Sequence, residues 1–201
     1  MNELIDSMIV GGVLHTPAVI DAFKKVDRRY FVPSSFSEHI YVDAPLPIGE
    51  EQTISQPSTV AFMLEQLEPR EGDSILDIGS GSGWTTALLC SIVGETGRVT
   101  GLERKEVLVE QGRRNLSKFD FPGECRIEKA GENLGIPEKK FDKILVSASA
   151  DEIPEVLFSQ LKEGGILVVP VRNSIFKFKK ISQTQLESRE FPGFVFVPLI
   201  Y

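Results

Sequence analysis

The residues best suited to chemistry in this chain are three closely spaced glycines and a carboxylate that follows them. Gly79, Gly81 and Gly83 come directly after an apolar, strand-like run at 74–78 and precede a helix-like segment. A strand, a glycine turn and a helix in this order form a nucleotide cradle. Glycine lets the backbone approach a ligand closely, and the helix N-terminus offers unpaired N–H groups. Glu103 ends the next strand-like run, about 20 residues later, where a carboxylate can accept hydrogen bonds from both ribose hydroxyls.

The spacing of the glycines narrows the choice of cofactor. A dinucleotide fingerprint, G-x-G-x-x-G, requires glycine at position 84, where this chain has Trp84. The turn therefore favours an adenosine cofactor without a pyrophosphate, although Glu103 alone fits a dehydrogenase equally well. The alternative without function is a glycine-rich turn that binds no ligand, with Glu103 as a solvated acid at the end of a strand.

Alternating apolar patterns define the elements that would position these residues. Strands are predicted near 74–78, 98–102, 124–128, 142–147 and 165–170, and helices near 84–93, 105–117 and 154–161. This alternation indicates an α/β, Rossmann-like fold with a mostly parallel twisted sheet and helices on both faces. Two further apolar runs, 175–181 and 193–200, are predicted to form an antiparallel pair at one edge of the sheet near the C-terminus.

The N-terminal part is predicted to hold helices and loops that lie on the substrate side. Apolar spacing over 17–30 predicts a helix that is capped by Thr16 and begins at Pro17. A second helix is predicted to begin at Gln56-Pro57, and the prolines between the two favour extended loops. We therefore predict a single domain, with 1–70 as N-terminal helices and substrate-side loops and 71–201 as the cofactor-binding α/β core.

Composition excludes several classes of function. The 201 residues, 41% hydrophobic and 25% charged, suit one globular domain with a substantial core. The net charge of −7 argues against nucleic-acid binding, because phosphate contacts need a basic surface. Cys90 and Cys125 make no disulfide framework, and Cys90 is expected to be a small core residue. With only His15 and His39 available, no metal site is expected. The acidic N-terminus and the lack of a run of about 18 apolar residues lead us to expect a cytoplasmic protein without a membrane partner.

A hexapeptide before the glycine turn is more specific than the turn itself. The residues Gln52-Thr53-Ile54-Ser55-Gln56-Pro57, with 43–49 before them, resemble the signature of protein-L-isoaspartate O-methyltransferases. The glycine turn and Gly101-Leu102-Glu103 resemble the S-adenosylmethionine motifs of class I methyltransferases. Further matches, in the family's order, lie at 29–33, 141–142, 164–171 and 196–199. The resemblance runs from near the N-terminus to the last residues and implies a class I methyltransferase fold.

The resemblance also implies a reaction. Enzymes of this family transfer a methyl group from S-adenosyl-L-methionine to the free α-carboxylate of L-isoaspartyl residues in damaged proteins and peptides, leaving S-adenosyl-L-homocysteine. The ester collapses to a succinimide, which reopens partly to normal aspartate. Because a carboxylate is ionised at neutral pH, it serves as its own nucleophile and needs no strong general base. The protein has to align oxygen, methyl carbon and sulfur and to exclude water.

Particular residues match the family's site. Ser55 matches the active-site serine, whose hydroxyl could orient the acceptor carboxylate, although a serine before Gln56-Pro57 also fits a helix N-cap. Asp43 and Ser58 are expected on the substrate side, and Asp43 fits a turn cap equally well. The residues expected to contact the cofactor are Thr53, Ile54, Asp77, Gly79, Ser80, Gly81, Gly83, Glu103, Gly131 and Glu132. Among them, Asp77 would position the methionine amino group, directly or through water, and Glu103 would take the ribose.

The chain departs from the family pattern in places. The family usually carries Gly-Asp-Gly where this chain has Ala130-Gly131-Glu132, so adenine would be held by Glu132 or by backbone alone. Glu51 replaces a glycine, and with Glu50 it would repel an anionic acceptor if it pointed inward, so we expect both to face solvent. Ser58 replaces an aromatic residue or histidine and is expected to widen the pocket. The short tail after Leu199 is expected to leave substrate and cofactor less covered.

Three functions remain open at this point. The first is repair of isoaspartyl proteins and peptides by a monomeric methyltransferase, and the second is methylation of another peptide carboxylate by the same machinery. The third is a degenerate domain that binds isoaspartyl peptides or cofactor without turnover, which the altered adenine loop and Glu51 favour and the retained Ser55 opposes. A nicotinamide-dependent oxidoreductase is disfavoured by the glycine spacing and by the hexapeptide.

Overall fold

A seven-stranded sheet organises residues 1–200, which the computed structural model describes. Its strands are β3 Ser74–Ile78, β4 Arg98–Glu103, β5 Glu124–Lys129, β6 Phe141–Val146, β7 Leu161–Val171, β8 Ser174–Lys180 and β9 Leu186–Pro192. Two earlier strands, β1 Leu46–Gly49 and β2 Gln52–Ile54, form a separate antiparallel hairpin. The α-helices are α1 Asn2–Val10, α2 Pro17–Lys25, α3 Pro57–Leu67, α4 Trp84–Val93 and α5 Glu106–Leu116, and short 3-10 helices cover Arg28–Tyr30, Ser34–His39 and Glu155–Gln160.

The order of the strands creates a crevice at the middle of the sheet. The order is β5-β4-β3-β6-β7-β8-β9; β3 to β7 run parallel to one another, and β8 and β9 are antiparallel additions at one edge. The chain winds outward from β3 through β4 to β5, then returns to the other side of β3 as β6. In such sheets a ligand binds beyond the carboxyl ends of the strands, at the point where the winding reverses. The predicted α/β, mostly parallel fold is confirmed.

The two faces of the sheet are covered differently. All five α-helices contribute side chains to one large apolar cluster, to which β3 adds Ile75 and β6 adds Leu145. The neighbouring strand residues Leu76 and Ile144 point to the opposite face, where the 3-10 helix Glu155–Gln160 and the residues after β5 cover a smaller cluster. This alternation follows from the two-residue period of a strand, and both faces of the parallel strands are therefore buried.

The edge of the sheet corrects one prediction. The segment 193–200 is not the outer strand, because β9 pairs with β8 from Ser174↔Pro192 to Lys180↔Leu186. β9 is almost entirely exposed and rich in polar residues, so apolar patterning could not reveal it. The residues after β9 turn away and meet the core of the sheet through a bridge between Ser149 and Pro198.

Two helix predictions also change in detail. The helix predicted over 17–30 ends at Lys25, because Asp27 starts a separate 3-10 turn by accepting the Arg29 N–H at 2.9 Å. Thr16 precedes α2 as predicted, but its hydroxyl donates to Glu65 on α3 at 2.5 Å instead of capping the helix. The helix predicted near 154–161 is the 3-10 helix Glu155–Gln160.

Cys90 and Cys125 are joined by a disulfide, with their Cα atoms 6.0 Å apart. Cys90 is fully buried, as expected of a core residue, but it also ties α4 to β5. The sequence carried no signal for this pairing, because the cysteines are 35 positions apart and meet only through the packing of α4 on the sheet. No helix within residues 1–200 combines the length and apolar character needed to cross a bilayer.

Candidate active site

A cavity opens at the carboxyl ends of β3, β4 and β6, where the winding of the sheet reverses. The empty space within it and at its open mouth is about 770 Å³. We refer to it as the sheet-end cavity. Its walls include Gly79 and Gly81 of the glycine turn, Glu103 at the end of β4, and Gly131 and Glu132 after β5. These predicted cofactor residues are therefore brought together, although they come from three separate loops.

The glycine turn presents backbone to the sheet-end cavity on one side and packs tightly on the other. Gly81 has φ +51°, and a Cβ there would lie 3.2 Å from Cδ1 of Ile48 in the β1–β2 hairpin. Gly83 has φ +88° and does not line the cavity, and a Cβ there would lie 2.9 Å from Cδ1 of Ile127. The third glycine therefore allows α4 to pack against α5 and β5, while Gly79 and Gly81 leave backbone accessible to a ligand.

Ser80 and Asp77 lie behind the cavity wall. Ser80 is buried, and its hydroxyl has no hydrogen-bond partner within residues 1–200. Asp77 is fully buried and accepts hydrogen bonds from the hydroxyls of Thr86 at 2.6 Å and Ser147 at 3.3 Å. Burial raises the pKa of Asp77 to about 6, with a smaller contribution from the charge of Glu103 in the same direction. Ser147 lines the cavity and Asp77 does not, so any influence of Asp77 on a ligand would pass through Ser147 or water.

Glu103 holds the glycine turn in place with its carboxylate. Its Oε2 accepts the N–H of Gly81 at 2.9 Å, and its Oε1 accepts the N–H groups of Arg104 at 2.7 Å and Lys105 at 2.9 Å. A carboxylate offers about four lone-pair positions, so one position on Oε2 remains for a ligand. Glu103 can therefore fix the cradle and accept a hydroxyl at the same time.

The side of the cavity where the resemblance places adenine is formed by the loop after β5, which contains Ala130-Gly131-Glu132. Gly131 exposes backbone there, since a Cβ at this position would meet no atom within 4 Å. Its carbonyl accepts a hydrogen bond from Arg104 at 3.4 Å, and Glu132 is exposed at the rim. Leu134 and Leu102 supply apolar surface beside them. This arrangement suits a flat, apolar ring that is held by backbone.

The segment 197–200 forms a wall of the cavity that sequence analysis did not assign to the site. Ser149 donates its N–H to the carbonyl of Val197 at 2.8 Å, and Leu199 donates its N–H to the carbonyl of Ser149 at 2.8 Å. The apolar run that was interpreted as an edge strand therefore contributes Val197, Leu199 and Ile200 to the binding surface. The apolar residues of this segment indicated that it would be buried. Their spacing did not show whether it would pair as a strand or line a cavity.

A second pocket adjoins the sheet-end cavity and contains Ser55. We refer to it as the Ser55 pocket. Thr53, Ser147 and Val197 line both spaces and thus mark their junction. The other lining residues of the Ser55 pocket are Pro45, Gln56, Thr59, Val195 and Phe196, together with Ser55 itself. Four hydroxyls and one amide face a space without any acidic or basic side chain.

The hydroxyl of Ser55 is not used to cap α3. The residue before the helix is Gln56, and the Ser58 N–H is accepted by Asp43 at 2.8 Å. Asp43 also accepts from the Gln56 side chain at 3.1 Å, so both of its oxygens serve the helix start and it does not line the Ser55 pocket. These contacts show which of the two residues caps α3. Asp43 is the cap, and the Ser55 hydroxyl has no protein partner within residues 1–200.

The remaining predicted residues lie near the site without lining the Ser55 pocket. Ile54 is buried beneath it, and Ser58 accepts a hydrogen bond from Gln56 at 3.0 Å beside a neighbouring groove. Glu50 and Glu51 are exposed at the tip of the β1–β2 hairpin, both with left-handed backbone, so their charges face solvent as expected.

Comparison with known proteins assigns the chain to a family. The family described as protein-L-isoaspartate(D-aspartate) O-methyltransferase matches residues 1–201. A protein-L-isoaspartate O-methyltransferase of Methanopyrus kandleri is 38% identical over 204 residues, which cover 99% of this chain and 90% of the relative. One from Petrotoga mobilis is 41% identical over 187 residues, covering 90% and 86%.

Solved structures agree with this assignment. A protein-L-isoaspartate O-methyltransferase from Plasmodium falciparum, in complex with S-adenosyl-L-homocysteine, superposes with a TM-score of 0.83 at 25% identity, covering 98% of this chain and 97% of that chain. A second protein-L-isoaspartate O-methyltransferase gives a TM-score of 0.86 at 30% identity, covering 98% of this chain and 65% of that chain. The chain belongs to the protein-L-isoaspartate(D-aspartate) O-methyltransferase family.

Proposed function

We propose that this protein methylates the free α-carboxylate of L-isoaspartyl residues in proteins and peptides, with S-adenosyl-L-methionine as the methyl donor. The observation that carries the proposal is the pair of adjoining spaces that share Thr53, Ser147 and Val197. One space can hold an adenosine cofactor, and the other presents uncharged hydrogen-bond donors to an anionic acceptor. Family membership supports the same reaction.

The residues of the sheet-end cavity fit the proposed cofactor. Exposed backbone at Gly79 and Gly81 leaves room for the methionine part, and the spare lone pair of Glu103 suits a ribose hydroxyl. Apolar surface from Leu102, Leu134 and Leu199 suits adenine. S-Adenosyl-L-methionine, when bound, supplies a methyl group on a sulfonium, which needs no activation by an acid.

The Ser55 pocket fits the proposed acceptor. A carboxylate is ionised at neutral pH, so the pocket has no proton to remove, and it contains no side chain that could act as a strong base. The hydroxyls of Ser55 and Thr59 can donate to the acceptor oxygens, whereas the Gln56 amide already donates to Asp43 and Ser58. Ser55 is assigned the orienting role because its hydroxyl is free and lies beside the junction with the sheet-end cavity. The outward-facing Glu50 and Glu51 do not oppose an anionic acceptor here.

A pair of matched peptides tests the proposal. The protein is incubated with methyl-labelled S-adenosyl-L-methionine and peptides that differ only in L-isoaspartate or aspartate at one position. Base-labile label on the isoaspartyl peptide alone is the expected result, since a methyl ester hydrolyses in base. Equal labelling of both peptides would favour methylation of another carboxylate. No labelling, with S-adenosyl-L-homocysteine binding intact by calorimetry, would refute repair activity and favour a domain that binds without turnover.

The assembly state and cellular location stay predictions. We infer a monomer that works in the cytoplasm on damaged proteins, without a membrane partner. We also infer that it has no nucleic-acid partner, because the net charge is −7 and no basic patch stands out in the sequence. Light scattering after size exclusion would check the monomer, and cell fractionation would check the location.

A further inference from the structure

Arg28 lies beneath the proposed acceptor site without touching it. It belongs to the 3-10 helix Arg28–Tyr30 and is 0% exposed to solvent. Burial lowers its pKa to about 10, so the guanidinium remains charged at neutral pH. A buried charge is strongly unfavourable unless hydrogen bonds compensate it, which indicates that the fold retains this arginine for the contacts it makes.

The guanidinium donates to four backbone carbonyls from two separate segments. Nη1 donates to Ile40 at 2.7 Å and to Val42 at 3.2 Å, and Nη2 donates to Ala44 at 2.9 Å. Nη2 also donates to the carbonyl of Ser55 itself at 3.1 Å. The planar fork of arginine thus joins the substrate-side loop at 40–44 to the residue proposed to orient the acceptor.

A second set of contacts holds the same region from the outside. Asp43 sits within the loop that Arg28 binds, and its carboxylate holds the start of α3 through Ser58 and Gln56. Two anchors therefore act on this segment: Arg28 holds the carbonyl of Ser55, and Asp43 holds the residues that follow it. Together they fix the backbone at Ser55 and limit the positions that its hydroxyl can reach.

Arg28 also contacts the cofactor side of the molecule. Its guanidinium carbon lies 5.5 Å from the ring centre of Trp84, a distance typical of a cation–π contact. Trp84 is the first residue of α4, directly after the glycine turn, and its indole N–H donates to Val26 at 3.2 Å. Arg28 is thus packed between the element that carries the acceptor pocket and the one that carries the cofactor turn.

The charge of Arg28 has a further consequence. Within residues 1–200 no carboxylate lies in ion-pair contact with this guanidinium. The nearby Asp43 carboxylate acts on it only through space and raises its pKa by less than burial lowers it, so the positive charge is not neutralised by direct pairing. A buried positive charge beside Ser55 favours an anion in the adjoining pocket, because low-dielectric surroundings strengthen electrostatic interaction. The acceptor is such an anion.

From these contacts we propose that Arg28 is the positioning residue for the acceptor carboxylate: it fixes the backbone that carries Ser55 and adds positive charge beneath the pocket. The proposal rests on the proposed function, since it assigns Arg28 a role in binding the isoaspartyl acceptor. A residue that only stabilises the fold would affect both ligands equally. Altering Arg28 should instead weaken peptide binding more than cofactor binding.

The test compares Arg28→Lys with the neighbouring Arg29→Lys. Lysine keeps the charge but cannot donate in a fork to both segments. Arg29, in contrast, is largely exposed, and within residues 1–200 its side chain bonds only Asp27 and Tyr41. We expect Arg28→Lys to lower kcat/KM for the isoaspartyl peptide by about 10- to 100-fold, the range that misplacement of reacting groups produces. The dissociation constant for S-adenosyl-L-homocysteine should change by less than about threefold, and Arg29→Lys should behave as wild type.

A second measurement covers the case in which turnover is too slow to follow. The affinity of the S-adenosyl-L-homocysteine complex for the isoaspartyl peptide, measured by calorimetry, should fall in Arg28→Lys and also in Arg28→Met. Unchanged peptide affinity and kcat/KM in a folded Arg28→Lys protein would overturn the role of Arg28 and leave the proposed function intact. Equal loss of peptide and cofactor affinity would also overturn it, because that pattern indicates general destabilisation. A wild-type protein that neither methylates nor binds the peptide would overturn the proposed function and this inference together.

Discussion

Replacing Glu103 with glutamine should weaken cofactor binding at the sheet-end cavity, and the hydrogen bonds of Glu103 indicate by how much. Glu103 accepts three backbone N–H groups on two oxygens, and glutamine can offer only one oxygen. If the amide nitrogen takes the place of Oε2, it faces the N–H of Gly81 and cannot accept a ribose hydroxyl. A hydrogen bond to a charged partner contributes about 1.5–3 kcal/mol, so the loss of one ribose contact weakens binding by about 10- to 150-fold.

Titration calorimetry with S-adenosyl-L-homocysteine measures this loss directly. The matched control is Glu132→Gln, which removes a carboxylate from the rim of the same cavity but breaks no hydrogen bond within residues 1–200. We expect Glu103→Gln to bind at least about tenfold more weakly and Glu132→Gln to bind within about threefold of wild type. A Glu103→Gln protein with wild-type affinity would refute the role of Glu103 as ribose acceptor. A large loss in Glu132→Gln would show that this carboxylate has replaced the family's adenine contact.

Three further changes test other parts of the site. Ser55→Ala should lower kcat/KM for the isoaspartyl peptide by about 10- to 100-fold with cofactor affinity unchanged, and full activity would reject the orienting role. Asp77 has a pKa raised by burial to about 6, so its contribution to stability is present below about pH 4 and is lost as the pH rises through 6. Asp77→Asn should therefore gain up to about 3 kcal/mol of unfolding free energy relative to wild type between pH 4 and 7, measured by urea denaturation; a pH-independent difference would contradict this. Reducing the Cys90–Cys125 disulfide, which spans 35 positions, should lower the unfolding free energy by about 4 kcal/mol. Cys90→Ser with Cys125→Ser should abolish that response to reductant, and a response that persisted would show that the disulfide is not its source.

The parts of the fold that follow from local patterns could be predicted from the sequence. The central strands and α4 and α5 lie where apolar periodicity placed them, because each buries a continuous apolar surface. The edge strand β9 could not be found this way, since its residues are almost all exposed and polar. Its existence depends on pairing with β8, which is a property of the assembled sheet and not of its own composition.

The residues of the candidate site also differ in whether a local sequence pattern could reveal them. The glycine turn and Glu103 were predictable because a local motif carries them, and the structure places Gly79, Gly81 and Glu103 on one cavity. The exchange of roles between Ser55 and Asp43 was not predictable, because residue types allow either side chain to cap α3 and only the path of the loop at 40–44 decides it. Arg28 was also missed, since an arginine in sequence gives no sign of complete burial.

The two acids at the ends of β3 and β4 show why residue type alone does not assign a role. Asp77 and Glu103 lie near the carboxyl ends of neighbouring parallel strands, with Asp77 in register with Gly101, and both acids were expected to contact the cofactor. Glu103 is held by backbone N–H groups and still faces the cavity, so it can bind a ligand directly. Asp77 is held by side-chain hydroxyls and is sealed from the cavity, which raises its pKa. One of those hydroxyls belongs to Ser147, at the junction of the two spaces, so any influence of Asp77 on a bound ligand would pass through Ser147 or water.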